Sequence, residues 1–324
     1  MKTWIDFDDA PIFAIPLTDA VGGVSVCEGM LIEGPQGWGE FSPPVGVSEV
    51  QAARWLTSAI EAGIVGWPDP LRGRVPVAVI VPSVPAARAR ELVELSHGCR
   101  TAAVRVGEST LAEDIARLEA VRDALGAAGA IRCDANGAWD LETATSAVPA
   151  LDRAAGGLEF IEQPCAALED VAALRRRVEV PVAVDQSIRD ADEPLGLPLE
   201  DAADVMVLTV GALGGVRRAL RIAEGFALPC VAAAEVQSSV AIAGGLALAG
   251  VLSDAGFAHS LGGAMLLDGD VVSEARHLVP VDGYLPVAPM PPSPDLARLQ
   301  EFAATDAERV ARWRGLLGAV QKYL

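Results

Sequence analysis

From about residue 75 onward, the chain alternates between short apolar runs and longer segments in which apolar residues recur three or four positions apart. Eight such runs occur, at 77–80, 102–106, 130–133, 158–161, 182–184, 205–208, 230–233 and 257–259. The runs predict strands, and the longer segments, such as 111–125, 168–177 and 216–226, predict amphipathic helices. Strands that alternate with helices in this way are expected to lie parallel and to be joined by crossover helices.

Eight strand–helix units predict an α/β fold, a (β/α)8 TIM-like barrel. The units span roughly 185 residues, somewhat fewer than the ~250 that such barrels typically need. An open, doubly wound sheet is the runner-up. That fold usually has fewer strands and a glycine-rich first turn, whereas Pro-Ser-Val-Pro at 82–85 follows the first run here.

The regions on either side of the barrel have a different pattern. Residues 1–74 contain apolar stretches broken by glycine-rich turns at 21–24 and 34–37, followed by a helical segment near 48–62. This predicts a small α+β cap. After residue 281 the chain is rich in proline and ends in an amphipathic segment, which we expect to pack back on the cap. The predicted domains are therefore 1–74, 75–281 and 282–324.

Composition and charge narrow the possible partners. Hydrophobic residues make up 51% of the 324 residues, which is ample for a large core and too high for a disordered chain. The formal net charge of −19 makes nucleic acid and anionic membrane surfaces improbable partners, because an acidic surface repels phosphates. Lysine occurs only at Lys2 and Lys322, so no chemistry that needs an interior lysine is available.

Cysteine usage and hydropathy favour a soluble cytoplasmic protein. The five cysteines are far apart and form no CxxC pair, so we expect reduced, buried thiols. The first nine residues turn acidic where a signal peptide needs an apolar run. The longest apolar stretch, 240–252, has 13 residues, and crossing a bilayer takes ~20. The sequence does not determine the oligomeric state.

Three successive predicted strands end in a carboxylate, at Asp134, Glu162 and Asp185. In a parallel barrel the carboxyl ends of the strands form the functional face, and neighbouring strands lie ~4.8 Å apart. Three carboxylates that converge there need a cation, and ligands that are all oxygen favour Mg²⁺, with Mn²⁺ as the alternative. Helix capping or solvent exposure could explain one such acid more easily than three in equivalent positions.

The motifs around these acids resemble the metal-ligand motifs of the enolase superfamily. They are Asp-Ala-Asn-Gly-Ala-Trp at 134–139, Glu-Gln-Pro at 162–164 and Val-Asp-Gln-Ser-Ile-Arg at 184–189. Together with matches at 37–43, 213–220 and 281–287, they are similar to the o-succinylbenzoate synthase branch, the dehydratases of menaquinone biosynthesis. The resemblance covers almost the whole chain.

This resemblance implies a reaction. Mg²⁺ on Asp134, Glu162 and Asp185 would bind a small-molecule carboxylate substrate and stabilise the enediolate formed when the α-proton leaves. The family reaction is the dehydration of 2-succinyl-6-hydroxy-2,4-cyclohexadiene-1-carboxylate to o-succinylbenzoate. A cap loop near residue 20 would close over the substrate.

Three positions depart from the family pattern, which has a Lys-x-Lys on the second strand and a lysine at the end of the sixth. This chain has Ala103 and Arg105 on the second strand and Thr209 after the sixth. Arg105 and Thr209 are thus the predicted catalytic positions. Deprotonating arginine at pH 7 costs ~3–5 kcal/mol more than deprotonating lysine, so Arg105 would be a poor base. Its alternative role is to pair with the acids or to bind a substrate carboxylate.

The lost lysines leave other bases and other functions open. His259, at the end of the eighth run, and Glu235, near the end of the seventh, are further candidate acid/base groups, although a core histidine and a helix-capping glutamate are the simpler interpretations. The alternative function is a non-catalytic or repurposed paralogue that binds Mg²⁺ and a carboxylate. Racemase or epimerase chemistry is a weaker alternative, because it usually needs a base on each face of the substrate.

Overall fold

The computed structural model describes residue 7 and residues 9–324. Most of the acidic N-terminal segment, on which the expectation about a signal peptide depends, lies outside the described residues. The described chain begins with an antiparallel sheet in the order β1 (Ile12–Val21), β2 (Val24–Gly34) and β3 (Gly37–Phe41). Helix α1 (Glu49–Ile60) follows and continues into a π-helical turn over Glu61–Val65.

Local sequence explains where α1 begins and how closely it packs. The Ser48 side chain accepts a hydrogen bond from the backbone N–H of Gln51, and the Gln51 side chain accepts one from the Ser48 N–H, which makes a capping box. A Cβ atom at Gly39 of β3 would lie 2.0 Å from the carbonyl oxygen of Ala59. Only glycine therefore lets the helix approach the sheet so closely.

Strand β4 (Arg74–Pro76) leads into the barrel, whose seven regular strands form one parallel sheet in sequence order. These strands are β5 (Ala78–Val81), β6 (Thr101–Arg105), β7 (Ala130–Asp134), β8 (Ile161–Glu162), β9 (Val182–Val184), β10 (Val205–Thr209) and β11 (Cys230–Ala233). The eighth predicted run supplies parallel bridges from His259 to Val77 and from Ser260 to Ala233. These bridges close the sheet, so the predicted TIM-like barrel is confirmed and the open doubly wound sheet is excluded.

Helices connect the successive strands of the barrel. They are α2 (Ala86–Glu94), α3 (Leu111–Leu125), α4 (Leu141–Ala155), α5 (Leu168–Arg175), α6 (Gln186–Arg189), α7 (Leu199–Ala202), α8 (Val210–Leu213), α9 (Val216–Glu224) and α10 (Ser239–Val251), with short 3-10 turns at Pro194–Gly196, Gly262–Leu266 and Glu274–Arg276. Nearly every residue of α10 is buried, which explains the long apolar stretch. Within residues 7 and 9–324, no helix is both long and apolar enough to cross a bilayer. All five cysteines are buried free thiols.

The C-terminal segment returns to the cap. Strand β12 (Tyr284–Pro286) pairs antiparallel with β4, and helices α11 (Leu296–Glu301) and α12 (Ala307–Val320) follow, with a final 3-10 turn at Gln321–Tyr323. Trp313 of α12 is buried and meets Phe41 edge to face, with ring centroids 5.9 Å apart. The cap thus contains both ends of the described chain. The domain limits at 74/75 and 281/282 stay predictions.

Candidate active site and metal centre

A cavity of about 620 Å³ lies at the carboxyl ends of the barrel strands. Residues that end or follow the strands line one side of it, and Val21, Gly22, Val24 and residues 44–47 of the cap line the other. The predicted site residues Arg105, Asp134, Glu162, Asp185 and Thr209 all face this one cavity. The structure therefore brings the three predicted acids to one cavity.

The three carboxylates are held at one level by strand register. Asp134 and Glu162 are register partners at the ends of β7 and β8, and Asp185 directly follows β9. Asp185 occupies the position before α6, but its side chain makes no capping hydrogen bond. The helix-capping interpretation therefore does not account for it. Glu162 and Asp185 are 7% and 5% exposed.

A buried glutamine, which sequence reasoning missed, fixes the last acid relative to its neighbour. Gln163, fully buried after Glu162, accepts hydrogen bonds from the backbone N–H groups of Asp185, at 3.1 Å, and of Ser187, at 3.2 Å. Its own amide donates to the carbonyl oxygen of Cys165 at 2.9 Å and to the Ser187 hydroxyl at 2.8 Å. The only sequence signal for this role is the Glu-Gln-Pro motif itself.

Electrostatics within the cavity call for a cation. Burial raises the pKa of Glu162 well above its usual range, and the charges of Asp134 and Asp185 raise it further. Burial also raises the pKa of Asp185 to about 6, against the lowering effect of Arg189. Carboxylates that are buried together and repel one another become stable as anions when positive charge sits between them. Their oxygen donors fit a hard divalent ion such as Mg²⁺.

The carboxylates are not drawn together in advance. Among the described residues, no three His, Cys, Asp or Glu side chains stand close enough to hold a metal ion as they are. Instead, Arg105 Nη1 lies 2.9 Å from Asp134 Oδ2, and Arg189 Nη1 lies 3.5 Å from Asp185 Oδ2. To hold one ion together with Glu162, Asp134 and Asp185 would have to turn from these arginine contacts toward it.

Arg105 ends β6 and points into the cavity with an unsatisfied donor. Its Nη1 is buried and close to Asp134, but no N–H is aligned for a hydrogen bond to a described residue. Burial by itself lowers the pKa of Arg105, but the neighbouring acids, Asp134 foremost, outweigh burial and raise it. In this environment Arg105 is a cation with a free donor, which suits an anionic ligand.

Thr209 ends β10 and is 3% exposed. Its hydroxyl donates to Asp185 Oδ1 at 3.3 Å. Because β6 and β10 are the second and sixth strands of the closed barrel, Arg105 and Thr209 lie on opposite sides of the carboxylate row. At the end of β10, the Thr209 side chain can therefore donate a hydrogen bond, but it carries no charge.

Of the two alternative acid/base candidates, His259 and Glu235, only Glu235 lines the cavity. His259 is not among the cavity-lining residues that the structure describes; its ring accepts a hydrogen bond from the Ala232 N–H at 3.1 Å inside the barrel wall. Burial, with help from Arg132 and Arg72, lowers its pKa to about 4, so it is a neutral core histidine. Glu235 does line the cavity, where its Oε1 accepts from Arg189 Nη1 at 2.7 Å.

Comparisons with known proteins agree with this architecture. A family model described as "Enolase C-terminal domain-like" matches residues 86–292, and one described as "Enolase N-terminal domain-like" matches residues 12–63. The o-succinylbenzoate synthase of Thermobifida fusca (strain YX) is 46% identical over 277 residues, 85% of this chain and 86% of the relative. The o-succinylbenzoate synthase of Mycolicibacterium smegmatis is 44% identical over 300 residues, 92% of this chain and 91% of the relative.

Solved structures agree on the fold. A muconate lactonizing enzyme from Pseudomonas fluorescens, complexed with muconolactone, superposes with a TM-score of 0.79 at 22% identity, over 94% of this chain and 100% of that one. The L-Ala-D/L-Glu epimerase from Bacillus subtilis gives 0.75 at 21% identity, over 91% and 100%. At these identities the likeness concerns the fold alone.

Proposed function

Because this chain belongs to the enolase superfamily, and within it to the o-succinylbenzoate synthases, we propose that it catalyses the Mg²⁺-dependent dehydration of 2-succinyl-6-hydroxy-2,4-cyclohexadiene-1-carboxylate to o-succinylbenzoate. The observation that carries this proposal is the row of three carboxylates facing one cavity between barrel and cap. A carbon–oxygen lyase acting on a small carboxylate fits that cavity. Five buried free thiols support a cytoplasmic location.

Asp134, Glu162 and Asp185 are the proposed ligands of Mg²⁺, with Mn²⁺ as a substitute. When bound, the ion supplies positive charge that makes a proton next to a substrate carboxylate more acidic and stabilises the anion left behind. The protein's own part is to hold three oxygen donors at one level. Gln163 supports this by fixing the backbone of Asp185.

Arg105 and Thr209 are the proposed catalytic residues on the two sides of the carboxylate row. As a cation, Arg105 can donate to a substrate oxygen through its free Nη1; as a neutral base, it would have to lose a proton that lysine loses ~3–5 kcal/mol more easily. Thr209 can donate a hydrogen bond from the opposite side. A lysine at position 105 separates the two roles of Arg105, because it restores an accessible base and removes the planar guanidinium.

The alternative of a paralogue without turnover is not favoured, because relatives called o-succinylbenzoate synthase are 41–46% identical over most of the chain. The deciding experiment measures conversion of the dehydration substrate with and without Mg²⁺, for the wild type, Arg105→Ala and Arg105→Lys. We expect Mg²⁺-dependent turnover that falls by about 10²-fold or more in Arg105→Ala.

The variants also locate the base. If Arg105→Lys exceeds the wild-type rate, position 105 handles the proton; if it falls with Arg105→Ala, the guanidinium binds substrate. Turnover that survives in Arg105→Ala would move the base to another cavity residue, with Glu235 next in line. A wild-type protein that binds Mg²⁺ but shows no turnover would overturn the proposed activity.

A further inference from the structure

Acidic side chains outnumber basic ones in the lining of the cavity. Among the described residues that line it, the only cations are Arg105 and Arg189. Arg105 lies at the Asp134 end of the carboxylate row, and Arg189 lies at the Asp185 end. The row is therefore bracketed by two guanidinium groups, and the sequence predicts a catalytic role only for that of Arg105.

Arg189 reaches this place from the short helix α6. It is four residues beyond Asp185, and its Nη1 lies 3.5 Å from Asp185 Oδ2 and 2.7 Å from Glu235 Oε1. The cap steadies this segment, because Arg54 of α1 donates from Nη1 to the carbonyl oxygen of Arg189 at 2.7 Å. The Arg189 guanidinium thus lies between Asp185 and Glu235 of the barrel, and Arg54 of the cap bonds to the Arg189 backbone.

The contact between Arg189 and Glu235 crosses the end of a strand. Arg189 comes from the loop after β9, the fifth barrel strand, and Glu235 comes from the loop after β11, the seventh. Between them β10 ends at Thr209, whose side chain is small and uncharged. A bulky or cationic side chain there would compete with Arg189 for Asp185 and Glu235. Thr209 leaves room for a charge delivered from the neighbouring loop.

The position of this charge matters for chemistry on a carboxylate. Removing a proton beside a carboxylate places extra negative charge on its oxygens, and a fixed cation aimed at those oxygens stabilises the transition state more than the ground state. Arg105 supplies such a cation from β6. Arg189 faces Arg105 from across the row. Of the nitrogens of its guanidinium group, only Nη1 donates a hydrogen bond to a described residue, Glu235. Its other N–H groups are free for a ligand.

We propose that Arg189 contacts the substrate and supplies, across the end of β10, the positive charge on the side of the cavity opposite Arg105. Glu235 is the positioning residue that holds the guanidinium there. The inference rests on the proposed function, since it assigns a substrate contact for that reaction. The ligand it selects is a carboxylate whose oxygens gain negative charge during turnover.

The test compares Arg189→Met, Arg189→Lys and the double variant Arg189→Met/Thr209→Lys, with Arg175→Met as control. Arg175 also pairs with an aspartate, Asp204, at 2.8 Å, but lies outside the cavity lining. We expect Arg189→Met to lower kcat by about 10²-fold, the typical effect of removing one donor to a developing anion. Arg189→Lys should lose less, and the double variant should regain at least a tenth of the wild-type rate, because its charge returns from β10.

Mn²⁺ affinity, measured by titration calorimetry, separates this role from a structural one. Freed from Arg189, Asp185 should bind Mn²⁺ as tightly as before or more tightly. A loss of Mn²⁺ affinity that parallels the loss of rate would make Arg189 a support for Asp185 only, and would overturn the proposal. So would an Arg189→Met rate within about threefold of wild type, or a double variant with no regain.

Glu235→Gln tests the positioning role through a double-mutant cycle. We expect it to lower kcat by about tenfold when Arg189 is present and to have no effect in the Arg189→Met background. An equal loss in both backgrounds would give Glu235 a role independent of Arg189 and contradict the assignment.

The proposal can fail separately from the proposed function. If the wild type does not convert the dehydration substrate, the proposed function fails, and the affinity of o-succinylbenzoate in the presence of Mg²⁺ then decides the role of Arg189. At least tenfold weaker binding in Arg189→Met but not in Arg175→Met would support the contact, and equal binding would overturn it.

Discussion

Among the described residues, two groups of largely buried carboxylates have contrasting surroundings. The first group, at the seam between cap and barrel, contains Glu40 and Asp270. Glu40 accepts hydrogen bonds from the hydroxyls of Ser42, at 2.7 Å, and of Ser238, and Asp270 Oδ2 accepts from the backbone N–H and the hydroxyl of Ser239, at 3.0 and 2.8 Å. At the seam, hydroxyl or backbone N–H donors therefore bond to each acid, and His277 Nε2 lies 3.5 Å from Asp270 Oδ2.

The second group, Asp134, Glu162 and Asp185, faces the cavity. Here burial and the charges of Asp134 and Asp185 raise the pKa of Glu162, whereas burial raises the pKa of Glu40 against the lowering effect of two hydroxyl donors. Buried polar groups that serve structure are normally satisfied by their neighbours. Among the described residues no donor bonds to the Glu162 side chain, which is instead repelled by Asp134 and Asp185, and a cation between the acids would relieve that repulsion. Removing an acid should therefore have opposite consequences in the two groups.

The largest effect is expected for Glu162→Gln. It should abolish Mn²⁺ binding and lower turnover by about 10³-fold or more, since a bound metal supplies several kcal/mol to such reactions. The metal-free protein should meanwhile become more stable, by roughly 1–2 kcal/mol, because one of three repelling charges is gone. Urea unfolding without metal measures this change. Exposed Glu33→Gln is the matched control, and a destabilised Glu162→Gln protein would contradict the contrast.

The second effect is a pH dependence that originates at Glu40. Burial, aided by the charge of Asp270, raises the pKa of Glu40 from 4.5 to about 7, although its two serine partners lower it. Between these values the folded protein holds a proton that the unfolded chain has lost, so stability falls as pH rises from about 4.5 to about 7 and stays at the lower level above that. The loss is on the order of 3 kcal/mol.

The Glu40→Gln variant has no carboxyl group at this position and therefore no proton to lose in this pH range. Its free energy of unfolding, measured by urea titration at several pH values, should therefore decline less than that of the wild type between pH 5 and 7. Parallel curves for the two proteins would show that Glu40 does not titrate in this range.

The smallest of the three effects is expected for Asp270→Asn. The amide group would replace an oxygen that accepts two hydrogen bonds from Ser239 with a donor, at a cost of about 1–3 kcal/mol in the free energy of unfolding. Mn²⁺ affinity should not change. Asp123→Asn, an exposed acid paired with Arg90, is the control and should have little effect. Loss of Mn²⁺ binding in Asp270→Asn would show that an acid at the seam also supports the metal site, and would contradict the comparison.

Much of the fold was predictable from the sequence because its signals are local. Most of the apolar runs appear as strands displaced by no more than a residue or two; the run at 77–80, for instance, is Ala78–Val81 in the structure, whereas the run at 158–161 yields only the short strand Ile161–Glu162. The eighth run was less predictable. Residues 257–259 contribute only bridges through His259 and its neighbour Ser260, because closure of the sheet there depends on partners far away in the chain.

The residues of the candidate site likewise differ in how far they could be predicted from local sequence. Asp134, Glu162 and Asp185 could be found in the sequence, because each follows its own strand and parallel strands bring their ends to one face. The environment of Arg189 could not. Its contact with Glu235 joins residues 46 positions apart across the end of a third strand, and that of Ser238 with Glu40 joins residues 198 apart.

The sequence by itself thus determined the barrel, the cap and the row of acids, since hydrophobic period and strand-end position are set by neighbouring residues. Only the tertiary structure decided which groups meet: that His259 lies in the wall, that Arg105 and Arg189 bracket the acids, and that Glu40 accepts hydrogen bonds from serine hydroxyls. The physical reason is that the field on a buried charge depends on every group within a few ångströms, and closure of the barrel brings those groups from distant parts of the chain.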